Sequence, residues 1–126
     1  MKIYIGHSRE YNYLEDLYTP IKTSLLFNNH EIILPHDKKP GKRNFISKDI
    51  IKKCNLFIAE VSFPSTGLGI ELGWANIFNT PILCIYRKGT TISGSLKYLC
   101  DNFIEYSDSI DMIEKISDQI SVLGGK

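Results

Sequence analysis

Apolar residues in this chain fall into short unbroken runs separated by stretches of mixed polarity. Leu56-Phe57-Ile58-Ala59 lacks helical spacing and is closed by Glu60 and a cluster of turn formers, Ser62, Pro64, Ser65, Thr66, Gly67 and Gly69. That pattern predicts a strand buried on both faces and a strand-to-helix loop after it. Pro81-Ile-Leu-Cys-Ile-Tyr86 is a second nearly continuous apolar strand, ended by Arg87-Lys-Gly89. Lys2-Ile-Tyr-Ile5 alternates and breaks at Gly6-His7-Ser8, His30 to Leu34 ends at Pro35-His36-Asp37, and Asn102 to Tyr106 is the last strand.

Between these runs the spacing turns helical. Tyr13, Leu14, Leu17, Ile21, Ser24 and Leu25 mark a first helix, which Pro20 kinks or divides with Thr19 capping the second half. Phe45, Ile46, Ile50 and Ile51 mark a short helix, and a longer one begins near Gly69 and runs through Leu72, Ala75, Ile77 and Phe78. Leu96, Leu99 and Cys100 suggest another short piece. A terminal helix, capped by Ser107 or Asp108, carries an apolar stripe through Ile110, Ile113, Ile116, Ile120 and Leu123, before a frayed Gly124-Gly125-Lys126.

Five strands alternating with helices predict an α/β fold. It is a doubly wound, Rossmann-like parallel sheet in the order 2-1-3-4-5 with helices on both faces, one domain over residues 1–126. Ligands of such folds bind outside the carboxyl ends of the strands, at the switch point between strands one and three. The rule gathers Tyr4 to Ser8, His36 and Asp37, Glu60 to Glu71, and Arg87 to Ser95 at one edge.

Charge adds little to this picture. Fifteen basic and 14 acidic residues leave a net charge of +1, so the balance implies neither nucleic acid nor an anionic membrane as partner. The three cysteines, Cys54, Cys84 and Cys100, have no C-x-x-C spacing and suggest neither a disulfide framework nor a zinc site; buried thiols in a reducing cytoplasm are the expectation. His7, His30 and His36 are not spaced as a metal triad, and the residues call for no cofactor. No apolar run approaches the length of a signal peptide or membrane span, so a cytoplasmic protein is expected.

Chemistry concentrates at Glu71, expected in or near a first helical turn, where the helix dipole and unpaired N–H groups favour an ionised carboxylate suited to act as a nucleophile. Acids are also common there for structural reasons alone. Gly67, Gly69 and Gly73 form neither a Walker loop nor a dinucleotide fingerprint, and serve turn geometry equally well. Glu60 suits a ligand hydroxyl or a neighbouring loop N–H, Trp74 a ligand pocket, the core or a subunit contact, and Tyr4 a site or a packed strand. The basic loop Lys38-Lys-Pro-Gly-Lys-Arg43 suits a phosphate or a solvated, mobile surface.

Ile3-Tyr4-Ile5-Gly6, Ala59-Glu60-Val61, Pro64-Ser65-x-Gly67-x-Gly69-x-Glu71-Leu72-Gly73 and Pro81-Ile82-Leu83-Cys84 together resemble the nucleoside 2-deoxyribosyltransferase family, nearest its 2'-deoxynucleoside 5'-phosphate N-hydrolase branch. The resemblance covers most of residues 2 to 100. It implies cleavage of a C1'–N glycosidic bond in a small nucleoside or its 5'-monophosphate. Glu71 would attack the anomeric carbon, Tyr4 orient its carboxylate, and Ser65 contact the 5' end, with Ser93 or Ser95 of a neighbouring subunit completing the phosphate site of a homodimer. Gly6, His7, Ser8, Gly67 and Gly69 join the substrate-binding candidates. Two departures stand out. Ser47 occupies the place of an Asp that handles the leaving base, leaving Asp49 as first candidate and His36 as second. Gly6-His7-Ser8-Arg9-Glu10 keeps the Ser and Arg of the branch's phosphate loop but not its glycines. Base exchange, and a non-catalytic nucleotide-binding or Toll/interleukin-receptor-like signalling module, are the alternative readings.

Overall fold

The computed structural model describes residues 1–37 and 47–124. Strands β1 (Lys2–His7), β2 (Glu31–Ile33), β3 (Leu56–Glu60), β4 (Ile82–Arg87) and β5 (Phe103–Tyr106) form a parallel sheet in the predicted order β2-β1-β3-β4-β5. Its central pair sets Tyr4 beside Phe57 and His7 beside Glu60. Helices α1 (Thr19–Lys22), α2 (Leu25–Asn29), α3 (Ser47–Lys52), α4 (Thr66–Ile77) and α5 (Ser109–Gly124) complete the fold, with a π-helical turn, Leu14–Tyr18, ahead of α1 and a 3-10 turn at Gly94–Tyr98. No helix among the described residues is long and apolar enough to cross a membrane.

Side-chain alternation along β1 and β3 divides the core in two. Ile3, Ile5 and Ile58 meet Leu17, Ile21, Met112 and Ile116 on one face, while Tyr4, Phe57 and Ala59 meet Ile51 of α3 and Leu68, Leu72 and Ala75 of α4 on the other. The apolar run at 56–59 is buried on both faces as expected, and each large aliphatic side chain taken from water contributes about 1.5–3 kcal/mol. Cys54, Cys84 and Cys100 are free and buried.

Several local expectations are corrected. The first helix does change beside Pro20, from a π turn ending at Tyr18 to α1 beginning at Thr19, but Thr19 is the first residue of α1 and not its cap. Thr19 Oγ1 donates to Leu14 O at 2.7 Å, and a further break falls at Ser24, whose hydroxyl caps α2. In α5 the buried line is Met112, Ile116 and Ile120, whereas Ile110 and Leu123 turn outward. Asp108 caps that helix by accepting the Asp111 N–H at 2.8 Å. The helix α4 starts at Thr66, three residues before the expected Gly69, so Gly67 and Gly69 are helical and not loop residues. Lys38–Arg43, Phe45 and Ile46 lie outside the described residues.

Candidate functional site

Helix α4 lies over β3, and its N-terminus is built by Ser65, whose Oγ accepts the Leu68 N–H at 3.2 Å while its carbonyl accepts the Gly69 N–H. From this start Glu71 falls in the second turn, not the first. Dipole stabilisation fades within one turn, so the expected electrostatic support from the helix end is weaker than the sequence suggests. What holds Glu71 instead is a neighbouring strand: Tyr4 OH donates to Glu71 Oε2 at 2.7 Å. The same hydroxyl is 3.3 Å from Ser47 Oγ at the start of α3. Three elements distant in sequence therefore converge on one half-buried carboxylate.

Tyr4 is held from below. Its ring is fully buried and meets Phe57 edge to face, with ring centroids 5.3 Å apart. The space Phe57 needs comes from Gly6, where a Cβ would stand 2.6 Å from Phe57 Cζ and 2.9 Å from Leu68 Cδ1. Gly6 thus has a packing reason, and Gly6→Ala should cost about 1–3 kcal/mol through overpacking, read as a lower urea midpoint. Phe57 was not singled out by the sequence; its position two residues before Ala59, on the same face as Tyr4, was the available signal.

A helix turns about 100° per residue, which splits the remaining candidates between two flanks of α4. Leu68, Leu72 and Ala75 face the sheet; Gly67, Glu71 and Trp74 share the flank toward Tyr4, and Gly69 lies on the other. On that second flank a cavity of about 320 Å³ is lined by Ser65, Gly69, Ser93 and Ser95, with apolar walls from Phe63, Ile92 and Leu96. Ser93 Oγ accepts the Ser95 N–H at 3.3 Å. The serines expected at a phosphate therefore surround a cavity beside, not on, the carboxylate flank.

The other candidates are not brought to Glu71. Asp49, expected to handle the leaving base, is exposed on α3, about 200° around the helix from Ser47 and turned away from buried Ile51. His7 and Glu60 project through the opposite sheet face, as their register demands. His7 is 5 % exposed, stacks on Tyr13 and is held between the Ser8 carbonyl, 3.0 Å from Nδ1, and Tyr18 OH, 2.7 Å from Nε2. A carbonyl only accepts, so Nδ1 carries the proton, and burial lowers the imidazole's pKa. His36 packs its ring against His7 at 5.3 Å and donates its backbone N–H to Tyr18 OH. Ser8 is buried and its Oγ accepts the Glu10 N–H, which closes the turn after β1.

Glu60 anchors the loop that leads into α4. Its Oε1 accepts the Ser62 N–H at 2.8 Å, and its Oε2 accepts Ser62 Oγ at 2.7 Å and Tyr106 OH at 2.5 Å. Tyr106 OH lies 2.7 Å from Tyr11 OH, and Arg87 N–H donates to Ser62 Oγ. Burial outweighs these hydrogen bonds and raises the Glu60 carboxyl above its ordinary value. A raised folded pKa contributes stability that is complete below the ordinary Glu value and is lost as pH rises through the folded one. Urea midpoints measured between about pH 4 and pH 8 should therefore fall more steeply for the wild type than for Glu60→Gln, which keeps the neutral form throughout.

No family model matches the chain. A Methanosarcina mazei protein provisionally named a 2'-deoxynucleoside 5'-phosphate N-hydrolase is 29% identical over 92 residues, covering 69% of this chain and 57% of the relative. The human 5-hydroxymethyl-dUMP N-hydrolase is 35% identical over 65 residues, covering 48% of this chain and 37% of the relative. The chain thus spans about half the length, or less, of the curated relatives it matches. In fold it is similar to the CMP N-glycosidase of Clostridium botulinum, at a TM-score of 0.65 and 21% identity over 93% of this chain and 99% of that one. A conserved protein of Enterococcus faecalis gives 0.56 at 14% identity, covering 94% and 98% of the two chains. These similarities in sequence and fold bear out the resemblance to the nucleoside 2-deoxyribosyltransferase family that the chain's motifs carry.

Proposed function

We propose that this protein hydrolyses the C1'–N glycosidic bond of a nucleoside 5'-monophosphate, with Glu71 as nucleophile. The observation that carries the reading is the 2.7 Å hydrogen bond from a fully buried tyrosine to Glu71 Oε2. It fixes one carboxylate oxygen on the flank of α4 that faces β1, in a fold class that takes its ligands outside the carboxyl ends of its strands. The names of the relatives, nucleotide N-hydrolases and a CMP N-glycosidase, support the same chemistry.

Cleavage of this bond passes through an oxocarbenium-like sugar. A carboxylate beneath C1' stabilises the developing positive charge and then closes a glycosyl ester, which water opens in a second step. Tyr4 orients the carboxylate and disperses its charge. The first-turn N–H groups of Thr66 and Gly67, left over after Ser65 takes those of Leu68 and Gly69, suit the 5'-phosphate. A second copy of the chain is part of the reading; Ile70 and Ile77, 50% and 76% exposed on the outward side of α4, suit a subunit contact.

Free-base release from a panel of ribo- and 2'-deoxynucleoside 5'-monophosphates, followed by chromatography, tests the proposal. No base from any member would overturn it. A hydrogen bond to a charged group contributes about 1.5–3 kcal/mol, so Tyr4→Phe should slow release by about ten- to a hundredfold while leaving the fold intact by circular dichroism.

A further inference from the structure

We infer that Cys84 and Cys100 are a dithiol pair that hydrogen peroxide closes, reversibly, into a disulfide within one chain. This modification site is separate from Glu71 and independent of the glycosidase reading. It rests on the way strand pairing brings the two sulfurs together, on a cavity that opens at one of them, and on a third cysteine held elsewhere in the fold.

Cys84 lies in β4, and Cys100 follows the 3-10 turn that leads toward β5; both side chains belong to the core layer under α4. Pairing of the two strands makes them neighbours. The Cys84 N–H donates to Asn102 O at 2.9 Å, and Cys100 Sγ stands 3.1 Å from that same carbonyl. The two thiols meet there as hydrogen-bond partners. Around Cys100 Sγ the backbone offers both polarities. The carbonyls of Ile82 and Asn102, each at 3.1 Å, accept the proton of the neutral thiol, while the Asn102 N–H donates to the sulfur at 3.3 Å. A cavity of about 390 Å³ reaches Cys100, lined also by Asn76, Asn79, Lys97, Asp101 and Asn102. Polar walls of this kind hold water, and hydrogen peroxide is little larger. Cys84 is fully buried behind Cys100. Cys54, between α3 and β3, is buried where desolvation pushes its thiol up to about 11.

This arrangement assigns the roles. The hydrogen bond from Cys84, helped by the Asn102 and Cys84 N–H groups, outweighs burial and brings the Cys100 thiol down to about 7, so much of it is thiolate at neutral pH. The thiolate is the form that attacks. Its electron pair bonds to one peroxide oxygen, the O–O bond breaks, and the departing hydroxide takes up the proton the thiol released, leaving Cys100 sulfenic acid and water. Cys84 is raised by its hydrogen bond to Cys100, by burial and by the charge of Cys100. The first and last of these causes vanish once Cys100 is a neutral sulfenic acid. The Cys84 sulfur then bonds to the Cys100 sulfur, the S–O bond breaks, and the Cys84 proton leaves with the hydroxyl as a second water. Two thiols and one hydrogen peroxide thus become one disulfide and two waters. Leu99 and Cys100 both donate their N–H groups to Leu96 O, and Leu96 and Leu99 line the cavity beside α4, so the bond ties one wall of that cavity to β4.

The test treats the folded wild-type protein with hydrogen peroxide, quenches it in acid, counts thiols in urea with a chromogenic thiol reagent and maps cross-links by peptide mass spectrometry. Cys84 and Cys100 should be lost together as a link within one chain, Cys54 should stay reduced, and dithiothreitol should restore all three free cysteines. The rate should rise about tenfold per pH unit below about pH 7 and level off above it, following the Cys100 thiolate. In Cys84→Ser the reaction should stop at a Cys100 sulfenic acid that dimedone captures, and Cys100→Ser should lose thiols at least about tenfold more slowly than the wild type. Retention of all three thiols, oxidation centred on Cys54, a link between two chains, or the same link formed equally well in urea-unfolded protein overturns the inference. The wild-type measurements decide it alone should either variant fail to fold.

Discussion

Glu71→Gln should reduce base release by about a thousandfold or more, on the order of 4 kcal/mol of transition-state stabilisation, without loss of fold. The amide keeps the size of the side chain and an oxygen to accept the 2.7 Å hydrogen bond from Tyr4, so α4 and the Ser65 cap have no reason to move. What disappears is the negative charge beneath the sugar and the ability to form the ester. A variant that released base at the wild-type rate would show that another group carries the reaction. Thermal melts of the two proteins should coincide within the range of a surface change, which separates lost chemistry from lost structure.

Phe57→Ala should be the largest stability effect, about 3–5 kcal/mol, measured as a shift in the urea midpoint at unchanged slope. Phe57 is fully buried at the centre of the sheet, fills the space above Gly6 and supports the Tyr4 ring edge to face. Removing it opens a cavity under the residue that holds Glu71, so activity should fall even in the fraction that remains folded. A midpoint change below about 1 kcal/mol would mean that the neighbouring Leu68 and Leu72 collapse into the gap, and that the core beneath the site is less specific than its geometry implies.

The sheet was legible because its signals are local. Leu56 to Ala59 and Pro81 to Tyr86 are too short and too uniformly apolar for anything but strands buried on both faces, and helical spacing between strands leaves parallel crossovers as the natural connection. The start of α4 was not, since Ser65, Gly67 and Gly69 are turn formers by propensity. Leu68, Leu72 and Ala75 hold these glycines helical by packing on the sheet.

Among candidate site residues the same distinction holds. Side-chain parity along β1 and β3 already separates His7 and Glu60 from Tyr4 and Phe57, so their placement across the sheet was available in the sequence. The contact of Tyr4 with Glu71, 67 residues away, and that of Tyr11 with Tyr106, 95 residues away, depend on tertiary packing that no local pattern encodes. Asp49 shows the limit of position alone: two residues along a helix from Ser47 is nearly the opposite side.

Covalent trapping puts the nucleophile itself on trial. A 2'-fluoro-2'-deoxynucleoside 5'-monophosphate has an electron-poor sugar that slows opening of a glycosyl ester, and peptide mass spectrometry locates any sugar left on the protein. The account predicts an added fluorinated deoxyribose phosphate on the peptide containing Glu71, absent from Glu71→Gln. Base release with no adduct, or an adduct on a different residue, would contradict it.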